Sequence, residues 1–139
     1  MEKINISYTA TAINTGGRRG HVRTDDGMLD YDVAMPKENG GPGGKTNPEQ
    51  LFAAGYATCF GGTLAAIAQG VSLMDSEITV KVHTGESDKG GYALAVDIAV
   101  SIPKASSKSE AQELVEAAHA QCMYSKAVKG NIEVRVKAV

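Results

Sequence analysis

Cysteine, charge of a single sign and long apolar runs are all scarce in this 139-residue chain. Its two cysteines, Cys59 and Cys122, are too few for the disulfide framework of a small secreted protein. In a reducing compartment any role they share is redox or catalytic. Lys and Arg number 14 against 16 Asp and Glu, a net charge of −2, with no block of like charges. The electrostatic footprint of a nucleic-acid or anionic-membrane binder is therefore missing. No stretch approaches the ~18 uninterrupted apolar residues of a membrane span, and the opening MEKINISYTATAI has neither an apolar signal core nor a cleavage site. The expectation is a cytoplasmic protein with small or apolar partners, no nucleic acid and no membrane.

What is present is 42% hydrophobic residues. At this length folding buries roughly two-thirds of the surface of the unfolded chain, enough for one domain over 1–139 but not for two. Ile4, Ile6, Tyr8, Ala10 and Ala12 alternate with polar residues, predicting a half-buried strand. A turn at residues 14–20, a short strand around Val22, the Asp26-Gly27 turn and the run from Met28 to Met35 continue as a hairpin. The loop over residues 37–46, with Gly40, Gly41, Pro42, Gly43 and Gly44, is too glycine-rich for helix or sheet interior.

At Asn47 the period becomes helical. Thr46 or Asn47 suits the cap, Pro48 the first helical position, Glu49 the anion-favouring first turn, and Gly70 a stop. Phe52, Tyr56, Phe60, Thr63 and Ile67 form a bulky stripe, and Gly55, Cys59, Gly62 and Ala66 a small one. Glycine costs ~1 kcal/mol inside a helix, so Gly55, Gly61 and Gly62 predict a close neighbour on a helix buried all round. Ile78-Val80-Val82 and the alternating run Tyr92 to Ile102 read as a hairpin turned at residues 88–91. Ser107 with Glu110 reads as a capping box for a second helix, with Leu114, Ala118 and Cys122 on one face, and Ile132, Val134 and Val136 as a last strand. The order predicts an α+β domain with helices against antiparallel sheet.

Both cysteines thus fall on the apolar faces of the two helices, and glycines beside Cys59 leave room for a neighbour. A reactive thiol must be ionised near neutral pH, and an ordinary one with pKa ~8.5 is not. Cys59 stands about three turns beyond the helix start, where the helix dipole no longer reaches. A cationic side chain is required, and Arg18, Arg19, Arg23, His119 and several lysines are candidates that spacing does not separate. Other chemistries fit poorly. Gly44-Lys45-Thr46 before a helix looks like a phosphate loop, but Asn39 stands where that motif needs glycine. His21, His83, His119 and the cysteines lack metal-ligand spacing, so no metal is expected.

Thr46-Asn47-Pro48-Glu49-Gln50-Leu51-Phe52-Ala53-Ala54-Gly55-Tyr56-Ala57-Thr58-Cys59-Phe60 resembles the signature of the organic hydroperoxide resistance (Ohr) proteins of the Ohr/OsmC superfamily. His119-Ala120-Gln121-Cys122, Tyr124-Ser125, Gly130-Asn131-Ile132, the Tyr8–Ala12 segment, Gly16-Gly17-Arg18 and the Gly40–Gly44 loop resemble it too, so the likeness covers nearly the whole chain. It implies an OsmC-like fold with two helices, the long central one carrying the first cysteine, in an intertwined homodimer. It implies a peroxiredoxin-like thiol peroxidase that reduces alkyl or lipid hydroperoxides, serves the response to oxidative stress and needs no cofactor. Cys59 would be the peroxidatic thiol, Cys122 the resolving one, Arg18 the arginine over the thiolate with Arg19 its adjacent competitor, and Glu49 the carboxylate holding it. A dithiol such as dihydrolipoamide on a lipoylated protein would reopen the disulfide. Phe52, Tyr56 and Phe60 would form an apolar substrate pocket. The sequence departs from the family at Met123, where proline is usual. The rival readings are an OsmC-branch peroxidase and a non-catalytic apolar-ligand binder or oxidant sensor.

Overall fold

The computed structural model describes residues 1–139, which divide into two compact units, Met1–Pro48 and Glu49–Val139. In the first, β1 (Ala12–Thr15), β2 (His21–Thr24) and β3 (Asp30–Asp32) form an antiparallel sheet in that order. Strand β1 begins only at Ala12. Residues 4–11, expected as strand, have no ladder partner in the chain, and Ile4, Ile6 and Tyr8 are exposed. Alternation gives this segment an apolar face but does not supply the edge that a strand must hydrogen-bond.

The connection from β1 to β2 is tight for a definite reason. Gly16 is left-handed (φ 80°), and a Cβ at Gly20 would stand 1.7 Å from the Thr15 carbonyl oxygen, so only glycine closes the turn. Between them Gly17–Arg19 make one 3-10 turn that presents Arg18 and Arg19. Asn14 Nδ2 donates to the carbonyls of Gly17 and His21, both at 3.1 Å, tying the turn to the strands on either side. Asp26 and Gly27 turn the chain from β2 to β3 as expected, with Asp26 Oδ1 accepting from Thr24 Oγ1 and Met28 N. His21 lies between two carboxylates of β3, Nδ1 at 2.8 Å from Asp32 and Nε2 at 2.5 Å from Asp30.

In the second unit, helix α1 (Pro48–Ile67) leads into β4 (Glu77–Glu86) and β5 (Tyr92–Ser101), an antiparallel hairpin. Helices α2 (Lys108–Gln121) and α3 (Met123–Val128) precede β6 (Glu133–Ala138). The sheet order is β4-β5-β6, and β6 runs parallel to β5, whereas antiparallel sheet was expected. Two helices connect those strands, and a connection of that kind is what parallel pairing needs. Ser107 caps α2 by accepting from Glu110 N at 3.0 Å. The Glu110 carboxylate reaches back one residue further than in a standard capping box, to Ser106 N and Oγ.

The core of this unit joins Tyr56, Phe60 and Leu64 of α1 to Val96, Ile98 and Val100 of β5 and Ala111, Val115 and Ala118 of α2. The α1 residues recur every fourth position and those of β5 every second, the two periods expected for a helix and a strand buried on one face. By length and composition alone α1 would suit a membrane, with a mean hydropathy of 1.2, but its bulky stripe lies in this core. The helix is not buried all round within the chain: Ala54, Thr58, Gly62, Ala65 and Ala66 are exposed.

Candidate active site

Cys59, on the side of α1 next to the buried stripe, and Cys122, wholly buried, are free thiols whose sulfur atoms lie 3.6 Å apart, with Cys122 Sγ donating to Cys59 Sγ. The backbone makes this approach possible in an unexpected way. Cys122 was expected to continue the second helix, but it ends α2 and begins α3, with an extended ψ of 127°. Its N–H still donates to Ala118 O at 2.8 Å, and its carbonyl accepts from Lys126 N at 2.9 Å. The residue thus belongs to both helices and is a corner between them. Met123, where the resemblance leads one to expect proline, does not let α2 run on.

The corner leaves the first N–H groups of α3 without helical acceptors. Those of Tyr124 and Met123 hydrogen-bond Cys59, and each favours its thiolate. Burial outweighs them and, with the neighbouring Cys122, pushes the Cys59 thiol above its ordinary range. Cys59 therefore needs a further positive charge to ionise near neutral pH.

The close neighbour predicted for the α1 glycines is a side chain rather than a backbone. A Cβ on Gly55 would come within 3.0 Å of Tyr124 Oη and 3.2 Å of its ring. Gly61 faces Ile78, and Gly62 faces open space. Tyr124 packs with Phe52 and Tyr56, ring centroids 5.7–6.2 Å apart, and Phe52 meets Tyr56 edge-to-face at 5.9 Å. Of the three expected pocket residues, Tyr56 and Phe60 are wholly buried and Phe52 is partly buried against them. Tyr124 was not assigned a role from sequence, though its place two residues after Cys122 was a usable signal. Burial, more than any other influence, raises the Tyr56 hydroxyl, which bonds to Ser125.

Arg18 lies in the 3-10 turn of the first unit and Glu49 in the first turn of α1. Arg19 lines a cavity of about 330 Å³ in the first unit together with Lys45, Pro42 and the Val33–Met35 segment. The histidines have protein partners: His21 as above, His83 with Asp97 at 3.0 Å, and His119 with Ser125 at 2.8 Å.

The family model for OsmC-like proteins matches residues 41–137. The chain is 48% identical over 135 residues to the organic hydroperoxide resistance protein OhrB of Bacillus subtilis (strain 168), covering 94% of this chain and 96% of that one. It is 43% identical to the organic hydroperoxide resistance protein of Xanthomonas axonopodis pv. citri, covering 93% and 92%. Its fold matches the crystal structure of an organic hydroperoxide resistance protein OsmC from Legionella pneumophila with a TM-score of 0.90 at 44% identity, over 96% and 98% of the two chains. For the crystal structure of B. subtilis OhrB the TM-score is 0.84 at 42% identity, over 95% and 98%. The α+β arrangement is accordingly the OsmC-like fold. Likeness of this extent in sequence and in structure makes the chain a member of the Ohr/OsmC superfamily, among its organic hydroperoxide resistance proteins.

Proposed function

We propose that this protein is a thiol peroxidase for organic hydroperoxides. The observation that carries the reading is the 3.6 Å approach of Cys59 and Cys122 at a corner of the backbone. The Cys59 thiolate attacks the terminal peroxide oxygen, the O–O bond breaks, and an alcohol leaves once its alkoxide is protonated. Cys59 is left as a sulfenic acid. Cys122 then attacks the Cys59 sulfur, and a disulfide and water result. A dithiol of the dihydrolipoamide type, carried on a lipoylated protein, reopens it by exchange.

The raised Cys59 thiol explains why an arginine belongs to the scheme. Arg18 supplies the charge that burial withholds, and Glu49 holds the guanidinium in orientation. Phe52 and Tyr124, backed by the buried rings of Tyr56 and Phe60, give an apolar wall that favours alkyl and lipid hydroperoxides over hydrogen peroxide, which has no organic group to bury. The protein works in the cytoplasm, as part of the response to oxidative stress.

Two features support a homodimer. Ile4, Ile6 and Tyr8 expose one apolar face of an unpaired segment, and α1 exposes the small residues Ala54, Thr58, Gly62, Ala65 and Ala66, which suit close helix packing. Light scattering at micromolar concentration is expected to give twice the chain mass, and a monomer would overturn this part of the reading.

The chemistry is tested by intact mass after one equivalent of tert-butyl hydroperoxide, in parallel with hydrogen peroxide. The reduced protein is expected to lose two hydrogens quickly with the organic peroxide. Cys59→Ser should abolish the reaction, and Cys122→Ser should gain oxygen instead. A reaction indifferent to Cys59 would point to an apolar-ligand scaffold.

A further inference from the structure

A chain of three polar side chains crosses the apolar core beside the thiols. Tyr56 Oη lies 2.8 Å from Ser125 Oγ, and Ser125 Oγ lies 2.8 Å from His119 Nδ1. Tyr56 is wholly buried and Ser125 nearly so, while His119 is half-buried. The three come from α1, α3 and α2, and each is three residues from a cysteine: Tyr56 before Cys59, His119 before Cys122, Ser125 after Cys122. Packing alone does not ask for this. Phenylalanine and alanine would fill much the same space as Tyr56 and Ser125 without burying hydroxyls that must then satisfy one another.

We propose that Tyr56, Ser125 and His119 are positioning residues that pin the α2–α3 corner to α1, so that Cys122 stays within reach of Cys59 for disulfide closure, and that protonation of His119 releases the pin. The inference rests on the peroxidase reading above. Methionine at 123 leaves φ unrestrained where a proline ring would fix it. The side-chain bridge then adds to the packing of Tyr124 on Phe52 and Tyr56 in holding α3, and with it the Cys122 corner, against α1.

Each hydroxyl has a single proton to give, so the chain has a direction. In the Nε2-protonated tautomer of neutral His119, Nδ1 accepts from Ser125, whose oxygen accepts from Tyr56, and both hydroxyl protons are satisfied. Burial, and then the nearby Lys129, hold His119 below its ordinary value, which keeps it neutral near pH 7. Protonated His119 must donate from Nδ1 instead. Ser125 can then no longer give its proton to His119, and one buried hydroxyl proton, that of Ser125 or of Tyr56, loses its acceptor within the chain. The ionisable groups facing the chain are Lys129, beyond α3, and the Cys59 and Cys122 thiols, which act on Tyr56.

The step affected is balanced within the protein. The Cys59 S–O and Cys122 S–H bonds break, the S–S bond forms, and hydroxyl and proton leave together as water. The sulfenic sulfur is reduced and the Cys122 sulfur is oxidised. If closure is slow, a second hydroperoxide oxidises the waiting sulfenic acid to sulfinic acid and leaves as alcohol.

The test is single-turnover reaction with tert-butyl hydroperoxide, following sulfenic acid formation, disulfide closure and sulfinic acid separately by quenched mass spectrometry from pH 5 to 8. Ser125→Ala is expected to leave sulfenic acid formation within about twofold of wild type and to slow closure about tenfold or more, because both hydrogen bonds of the bridge run through Ser125. Sulfinic acid should rise accordingly, and Ser125→Thr, which keeps the hydroxyl, should restore closure. His119→Asn offers a non-titrating acceptor near Nδ1. It should close normally at pH 7 and lose the fall in closure rate that wild type shows once the pH drops through the lowered His119 value, on the acid side of the ordinary ~6.5. A merely structural role would change melting temperature without changing the ratio of closure to overoxidation. Wild-type closure and sulfinic yield in Ser125→Ala, or an unchanged acid limb in His119→Asn, would overturn the inference. Failure of wild type to form the sulfenic acid at all would instead overturn the peroxidase reading.

Discussion

Cys59 concentrates the opposing demands on this site. Burial raises its thiol, which protects it from unselective chemistry, while the N–H groups of Tyr124 and Met123 act in the other direction. Substitutions at Met123 and at the arginines grade that balance. Met123→Pro deletes one N–H to Cys59 and fixes φ at the first position of α3, where proline is well tolerated. The thiol should move further up, with alkylation by iodoacetamide slower at neutral pH and thermal stability nearly unchanged. Arg18→Ala removes the proposed cation, and the hydroperoxide rate at pH 7 should fall on the order of 10²-fold, since an adjacent opposite charge shifts such groups by 1–3 pH units. Arg18→Lys should recover part of the loss, because an ammonium supplies charge without the bidentate geometry. The same loss in Arg19→Ala, with none in Arg18→Ala, would transfer the role to its neighbour.

Among the elements, the β2–β3 pair has a pH response written into its register, which sets His21 opposite Asp32. The hydrogen bond to Asp32 is the strongest influence raising His21, and Asp30 adds to it. A raised histidine stabilises most when protonated. Its contribution is complete below about pH 6.5 and disappears as pH climbs through the higher folded value. Amide exchange corrected for its intrinsic pH dependence should show protection in β2 and β3 weakening from pH 6 upward, and His21→Asn should abolish that trend. How much of each element was legible depended on where its determinants lie. Helix α1, with Pro48 at its start, and the β4–β5 hairpin are specified by local period and turn chemistry, so they could be read directly. The parallel direction of β6 was not legible, since Val134 and Val136 alternate in the same way in either direction. The corner at Cys122 was missed because Leu114, Ala118 and Cys122 keep helical spacing up to the break. The candidate site divides likewise: the cysteine pair follows from two apolar helix faces, whereas Ser125 and the Met123 and Tyr124 amides acquire meaning only once the corner brings them beside α1.

At the scale of the molecule, the proposed disulfide would tie together residues 63 apart in sequence, enclosing the end of α1, β4, β5 and α2. Closing a loop of that size removes about 4 kcal/mol worth of freedom from the unfolded chain in the chain-entropy description. The folded chain pays some of this back, because the sulfur atoms must come from 3.6 Å to the ~2.05 Å of a bond, and the corner must shift to allow it. The oxidised protein is therefore expected to exceed the reduced one by about 2–4 kcal/mol, a rise in Tm of roughly 5–15 °C by calorimetry. Cys122→Ser should show no oxidation-dependent difference. The size of the gap also bears on turnover. By linkage, whatever stability the disulfide adds to the fold also makes the disulfide harder to reduce, at about 30 mV for each 1.4 kcal/mol. A catalytic disulfide has to be reopened every cycle, so a large gap would demand a strongly reducing dithiol such as dihydrolipoamide. A gap near zero would mean that strain at the corner cancels the loop entropy, and a weaker reductant such as glutathione would then be sufficient to recycle the enzyme.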